Sequence, residues 1–312
     1  MSPLQNKLKT VAITVALLLS LHVSTAYGEE LPVPTKEAAS VGSPEGIAHF
    51  YVFGLGLGLG VGGAMSWKFH RTWTGKFERI HEGWFGKDTY AGGSDKIGHF
   101  YTDYLLVRAY NEIYTSHNFS RRDALLYSFL GSMTTRTVME VADGFTTFKF
   151  SMEDLLANTA GSVVSTALLA SGLDNILGFS WTYAPSTEKL DGKIDAASID
   201  NDYNGSIYHM DVKLKGLREA LAPGHGRHLD YYNVGVSYFT RGYDEERPSK
   251  HRYIGLTVGA NLDEIMASNG TAEWSKARTL VRYFKLPYTF CGLYYDLDNQ
   301  KTGFRYGLNY FY

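Results

Sequence analysis

The sequence predicts an α+β protein: a helical bundle of about four helices, followed by an antiparallel β-sheet or partial barrel of about six strands. Three observations predict it. Apolar residues recur at helical spacing through the first half of the chain. The period then changes from 3.6 to 2 after Gly172, and the second half alternates apolar and polar positions up to its last residue. Aromatics are abundant, with 23 Tyr and 17 Phe in 312 residues, and these residue types suit strands and membrane–water interfaces.

Residues 1–28 read as a secretory signal. Lys7 and Lys9 form a basic start, and Val11–Val23 is an apolar stretch too short to span a bilayer comfortably. Ala26 and Gly28 supply small residues at a cleavage position before Glu29. No Cys lies near that position, so N-terminal lipidation is not expected. The only cysteine is Cys291, which leaves stability to burial rather than to an intrachain disulfide. Without the signal, 28 basic residues stand against 32 acidic ones, a net charge of −4. Nucleic-acid binding needs a basic surplus to neutralise phosphates, so nucleic acid is excluded as a partner class.

Residues 29–45, with Pro32, Pro34 and Pro44, read as a linker. The expected helical domain covers residues 46–175. It opens with an apolar run, Gly46–Phe69, whose Gly56 and Gly60 are spaced as in close-packed membrane helices; packing against the rest of the protein, at a membrane surface, is the favoured reading. A loop rich in Gly, Trp and charge follows, including Trp84 and Asp88, and its composition is that of a lid. Ser94 is placed to cap a helix over Asp95–Tyr114. A second helix runs over Arg121–Val141, and a third starts after Ser151 and ends at Gly172. Residues 176–206 are polar and turn-rich and read as a connecting loop, with the β segment at 207–312. There, Tyr232, Val234, Val236 and Tyr238 share one strand face, as do Ile254, Leu256 and Val258, then Cys291, Leu293 and Tyr295, and finally Phe304, Tyr306, Leu308, Tyr310 and Tyr312.

Three polar stripes run along otherwise apolar helices. Asp95, His99 and Asp103 lie at i, i+4, i+8, Arg136, Glu140 and Asp143 at i, i+4, i+7, and Asp154, Asn158, Gly161 and Ser165 at i, i+4, i+7, i+11. Residues three and four apart share a helix face, so the stripes are positioned to face one another. Two chemistries suit them. Carboxylates with one imidazole (His99, Asp95 and Asp154) are ligands for a divalent metal such as Zn²⁺, Mn²⁺ or Fe²⁺. Alternatively, His99 serves as an acid–base group, with Glu140 and Asp143 as catalytic partners. Asp95, Lys96, Asp103, Arg136, Asp154, Asn158, Trp84 and Asp88 are then the binding residues. The competing structural reading is a buried charge network, with Arg136 paired to Glu140 and Lys96 to an acid.

The run from His81 to His99, HEGWFGKDTYAGGSDKIGH, resembles the signature of a YfiM-like family of predicted periplasmic proteins. The later Glu140, Asp143-Gly144, Phe150-Ser151, Glu153-Asp154, Asn158 and Gly161 are similar too. That resemblance implies an envelope location. Signal, glycine helix and Tyr-rich tail together point to an outer-membrane-associated or periplasmic protein with a structural or binding role, whose partner is the outer membrane or another envelope component. Two other functions fit the same residues: a metal-assisted hydrolase acting on lipid or cell-wall material, and a small outer-membrane β-barrel, whose last strands alternate and end in Phe or Tyr as this one does.

Overall fold

The computed structural model describes residues 43–66, 69–194, 199, 201–243, 249–269 and 275–307; the expected signal, most of the linker, and Leu308, Tyr310 and Tyr312 lie outside them. In chain order the first half forms α1 (Pro44–Ser66), α2 (Phe69–Thr72), β1 (Arg79–Ile80), α3 (Ser94–Ser116), α4 (Arg121–Asp143), β2 (Phe150–Ser151) and α5 (Met152–Ser171). The second half forms β3 (Leu177–Tyr183), α6 (Thr187–Leu190), β4 (Ser206–Lys213), α7 (Leu214–Leu221), β5 (Tyr232–Arg241), β6 (His251–Ala260), α8 (Leu262–Asn269), α9 (Ser275–Tyr283), β7 (Phe290–Asp296) and β8 (Lys301–Tyr306).

The chain divides into two compact units, and the division cuts through the expected helical domain of residues 46–175. Of the described residues, one unit holds those up to Ile80 together with Val107–Ser151; the other holds His81–Leu106 and those from Met152 onward. The first unit is helical. Its α1 packs on α4, and Gly56 brings the α1 backbone against Thr135 and Tyr110. His49 stacks edge-on with Tyr114, Phe119 and Tyr127 at the same seam. The opposite face of α1 is bare, with Phe50, Phe53, Leu57 and Val61 at least half exposed.

The second unit joins the first half of α3, up to Leu106, and α5 to the sheet. Its six strands follow one another in space, β3-β4-β5-β6-β7-β8, all antiparallel. Residues 176–206, expected as a connecting loop, therefore contain the first strand. The alternation Phe179, Trp181, Tyr183 marks it, but the turn-rich stretch behind it conceals so short a run. The sheet curls steeply. β4 and β7 are three strand spacings apart, roughly 14 Å in a flat sheet, yet His209 and Phe290 touch with ring centroids 4.7 Å apart. Lys285 reaches Asp211 at 2.6 Å and its backbone N–H donates to Trp181 on β3 at 2.9 Å. No ladder joins β3 to β8 among the described residues, so the curl is not a closed barrel.

The two faces of this sheet are reversed from those of a water-soluble sandwich. The inner face is buried and largely polar: Ser180, Thr182, His209, Asp211, Ser237 and Thr257 are each at most 5% exposed. Ile207, Phe239, Phe290 and Tyr294 pack among them as an apolar cluster. The outer face is apolar. Over β3–β4 it is covered by α3 and α5 through Phe100, Tyr101, Tyr104, Leu168, Phe179 and Tyr208. Over β5–β8 it is bare, with Leu256 69%, Leu293 57% and Phe304 60% exposed.

Candidate functional site

The site is built where α3 and α5 begin. Those two helices run parallel, because His99 meets Asn158 and Asp103 meets Ser162, each pair 59 residues apart in the chain. Parallel neighbours need a long connection, and residues 117–151 supply it. The helices approach closely because α5 presents Gly161 to the carbonyl of Phe100; a Cβ at Gly161 would sit 2.1 Å from that oxygen. Ser165 Oγ donates to the Tyr104 carbonyl one turn further along, at 2.8 Å.

Both helices begin at the same end of this seam, with Asp95 in the first turn of α3 and Glu153 and Asp154 in the first turn of α5. Helix N-termini carry partial positive charge, so carboxylates are favourable there. Lys96 lies among them. Its Nζ donates to Asp95 Oδ2 at 2.7 Å, and also to Glu82 and Asp154. The hydroxyl of Tyr203 donates to Asp95 from the loop before β4. His99 Nδ1 pairs with Asn158 Oδ1 at 3.0 Å; the amide oxygen only accepts, so Nδ1 carries the proton. That leaves Nε2 facing Asp95 Oδ1 at 3.6 Å and Asp154 Oδ1 at 3.8 Å. Beside the cluster, His81 pairs with Glu153.

Electrostatics follow from three carboxylates around one ammonium. Lys96 is 1% exposed and Asp95 5%, whereas His99 at 22% is the most exposed member of the cluster. Burial, the largest influence, and then the charge of Asp154 push the Glu82 carboxyl up to about 7, against the downward pull of Lys96. Burial also pushes Asp95 upward, but the charges of His99 and Lys96 and the bonds from Lys96 and Tyr203 outweigh it and hold Asp95 below its ordinary value. For Lys96, burial favours the neutral amine, yet Asp95 and Asp154 keep the ammonium above the usual lysine range. Glu82 thus keeps near neutrality a proton that the unfolded chain releases near 4.5. The stability it contributes is full below that value and is lost as pH rises through about 7. Urea unfolding of Glu82→Gln across this window is expected to show a flatter pH dependence than the wild type, and a carbon-detected NMR titration of Glu82 is expected to have its midpoint near 7.

Of the residues marked in the sequence, Asp95, Lys96, His99, Asp154 and Asn158 are brought together here. Asp103 lies one turn along the same seam, fully buried, accepting from Ser162 Oγ at 3.3 Å. Arg136, Glu140 and Asp143 lie on α4 of the other unit, the first two buried. The loop of Trp84 and Asp88 is less free than a lid. Tyr238 donates to the Gly92 carbonyl, Tyr243 to that of Lys87 and Arg252 to that of Phe85. Gly93 is required in that loop, since its φ of +91° is left-handed and a Cβ would lie 2.3 Å from the Phe85 ring. Trp84 is exposed, and Asp88 is exposed on the same loop. Glu82 and Tyr203 were not assigned a role from sequence. Glu82 sits inside the long HEGWFGKDTYAGGSDKIGH motif, which is the signal that could have found it; Tyr203 lies in the segment expected to be a connector and carries none.

By donor type, Asp95, His99 and Asp154 suit a divalent ion, and one ligand atom from each lies within 4.8 Å of the others. A histidine ligand that donates its other ring N–H to an amide oxygen is the usual supporting arrangement. Lys96 shares two of these carboxylates, so an ion here competes with the ammonium.

Fold and site together define a class: an α+β protein with a curled, outwardly apolar meander and a buried ionic cluster at the shared start of two parallel helices. Residues 81–170, under a third of the chain, match a family described as predicted periplasmic lipoproteins (DUF2279). The matched span includes Glu82, Asp95, Lys96, His99 and Asp154, that is, the whole cluster except Tyr203. No curated protein and no solved structure matches the chain.

Proposed function

We propose that the protein is an outer-membrane-associated envelope protein with a binding role, whose sheet turns its outer face to lipid. The carrying observation is the reversed sidedness of that sheet, polar and sealed within, apolar and bare without, which is how strands are sided in a bilayer. The ten residues each of β5 and β6 suit a tilted crossing, while the shorter β7 and β8 give the surface a partial depth. Helix α1 adds a second bare apolar surface, and its Pro44–Gly63 stretch is long and apolar enough to cross a membrane. Outer-membrane fractions washed with carbonate are expected to retain the protein, and a product that purifies as a soluble monomer without detergent would refute the reading. Leu256→Arg provides a quantitative check. On a lipid-facing strand it costs up to about 2–4 kcal/mol at mid-depth, whereas on a water-facing strand the change stays within about 0.5 kcal/mol.

A second reading is favoured by the Asp95–His99–Asp154 geometry: a metal-assisted hydrolase of lipid or cell-wall material, in which the ion activates water. Elemental analysis tests it. Stoichiometric zinc or manganese in the wild type, absent from His99→Ala, supports this reading; no metal in either protein leaves the cluster a packing network.

A further inference from the structure

The apolar outer face of the sheet changes cover midway, and at that boundary lies a cavity of about 350 Å³. Ile97, Phe100 and Ala157 wall it from the helices, and Met210, Val236 and Ile254 from the sheet. A water-sized group occupies about 30 Å³ and a methylene is of similar size, so the space takes roughly a dozen chain carbons. Its rim is apolar and open: Trp84, Phe85, Met210 and Ile254 are each at least 40% exposed, and Ile254 continues along β6 into the bare surface of Leu256 and Val258. The only charged lining residue is Lys96, and it offers nothing to an anion. Its stem lines the wall while its ammonium is turned into Glu82, Asp95 and Asp154. His209, another lining residue, is bound to Thr182 and Ser237.

From this we infer that the cavity is a lateral port for a single acyl chain of a membrane lipid, which enters from the bilayer past Trp84 and Ile254 and leaves its headgroup outside. An apolar wall without an available charge takes the hydrocarbon chain and leaves the polar headgroup at the mouth. The continuity of the rim with the bare sheet explains how a chain arrives without passing through water. This inference rests on the lipid-facing reading of the sheet.

The full protein, reconstituted in phosphatidylethanolamine vesicles containing a phosphatidylcholine with a diazirine at the end of one acyl chain, is irradiated and its labelled peptides are mapped. Labelling is expected on the segments around Lys96–Tyr101 and Ala157–Ala160. Ala160→Trp, a substitution at an exposed lining position, is expected to reduce that labelling about tenfold, the equivalent of excluding about two methylenes, while labelling around Leu256 and Leu293 persists. Val236→Phe, which fills the space from the sheet side, is expected to act in the same way. Labelling confined to the Leu256, Leu293 and Phe304 strands in the wild type would overturn the port and leave the lipid-facing sheet standing. An absence of labelling everywhere would overturn both.

Discussion

Lys96→Met is expected to destabilise the second unit by about 3–5 kcal/mol, the range found when one partner of a buried ionic group is removed. The ammonium is 1% exposed and serves Glu82, Asp95 and Asp154 together. Without it, these carboxylates face one another with no cation but a protonated His99, and each loses a charge-assisted hydrogen bond. The methionine side chain keeps most of the stem volume, so lost packing is a minor part of the effect. Urea unfolding followed by near-ultraviolet circular dichroism checks it. The double variant Lys96→Met/Asp154→Asn is expected to recover part of the loss, because one of the stranded charges is gone; if the single variant unfolds like the wild type, Lys96 does not hold the cluster. Loss of Lys96 also removes the pull that lowers the Glu82 carboxyl, so in the variant Glu82 takes up its proton at a higher pH than in the wild type, and the defect is expected to ease as pH falls.

Gly161→Ala is the second large effect. Alanine is ordinarily the better helix former by about 1 kcal/mol, so propensity alone predicts stabilisation. Here the new Cβ would lie 2.1 Å from the Phe100 carbonyl oxygen and 2.9 Å from its carbon, both backbone atoms that cannot rotate away. The helices must separate, and the bonds His99–Asn158 and Ser165–Tyr104 lengthen with them. Overpacking of this kind costs about 1–3 kcal/mol, sometimes more, and exceeds the propensity gain. Thermal unfolding of the variant measures the net sign. Ala at Gly60, where nothing lies within 4 Å, is the control expected to be neutral or stabilising.

The α+β class and the positions of α3, α4 and α5 were legible because helical period and boundary residues agreed. Asp95, His99, Asp154 and Asn158 were legible as a group for the same reason, since spacing of four fixes a shared face. Lys96 was expected to pair with an acid, but spacing could not show that it stands at the centre of the cluster, between three of them. Lys96 adjoins Asp95 in sequence, and neighbours at i+1 do not share a helix face; only its long stem carries the ammonium back into the seam. Glu82 and Tyr203 come from irregular segments, where side-chain direction has no period to read. The sheet shows a different limit. Alternation along β5, β6 and β7 states that two faces differ, but it is symmetric with respect to which face is inside. The distinction rests on the curl that brings His209 to Phe290, a contact between strands that no local pattern records.

The strand order also bears on how the molecule is made. Because every strand of the six-stranded sheet lies beside its predecessor, no strand of that sheet waits for a distant partner, and its assembly can proceed by successive addition of hairpins. The joints are unequal. A short turn, residues 297–300, joins β7 to β8, whereas the connection from β6 to β7 carries α8 and α9. Loop-closure entropy rises only slowly with length, by about 0.6 kcal/mol per doubling, so that insertion is inexpensive at equilibrium and acts chiefly on the order of events. The β7–β8 hairpin is free to form early by itself. Its docking on β6 completes the meander, and the Lys285–Asp211 pair joins the segment before β7 to β4, so burial of that pair reports that the curl has formed.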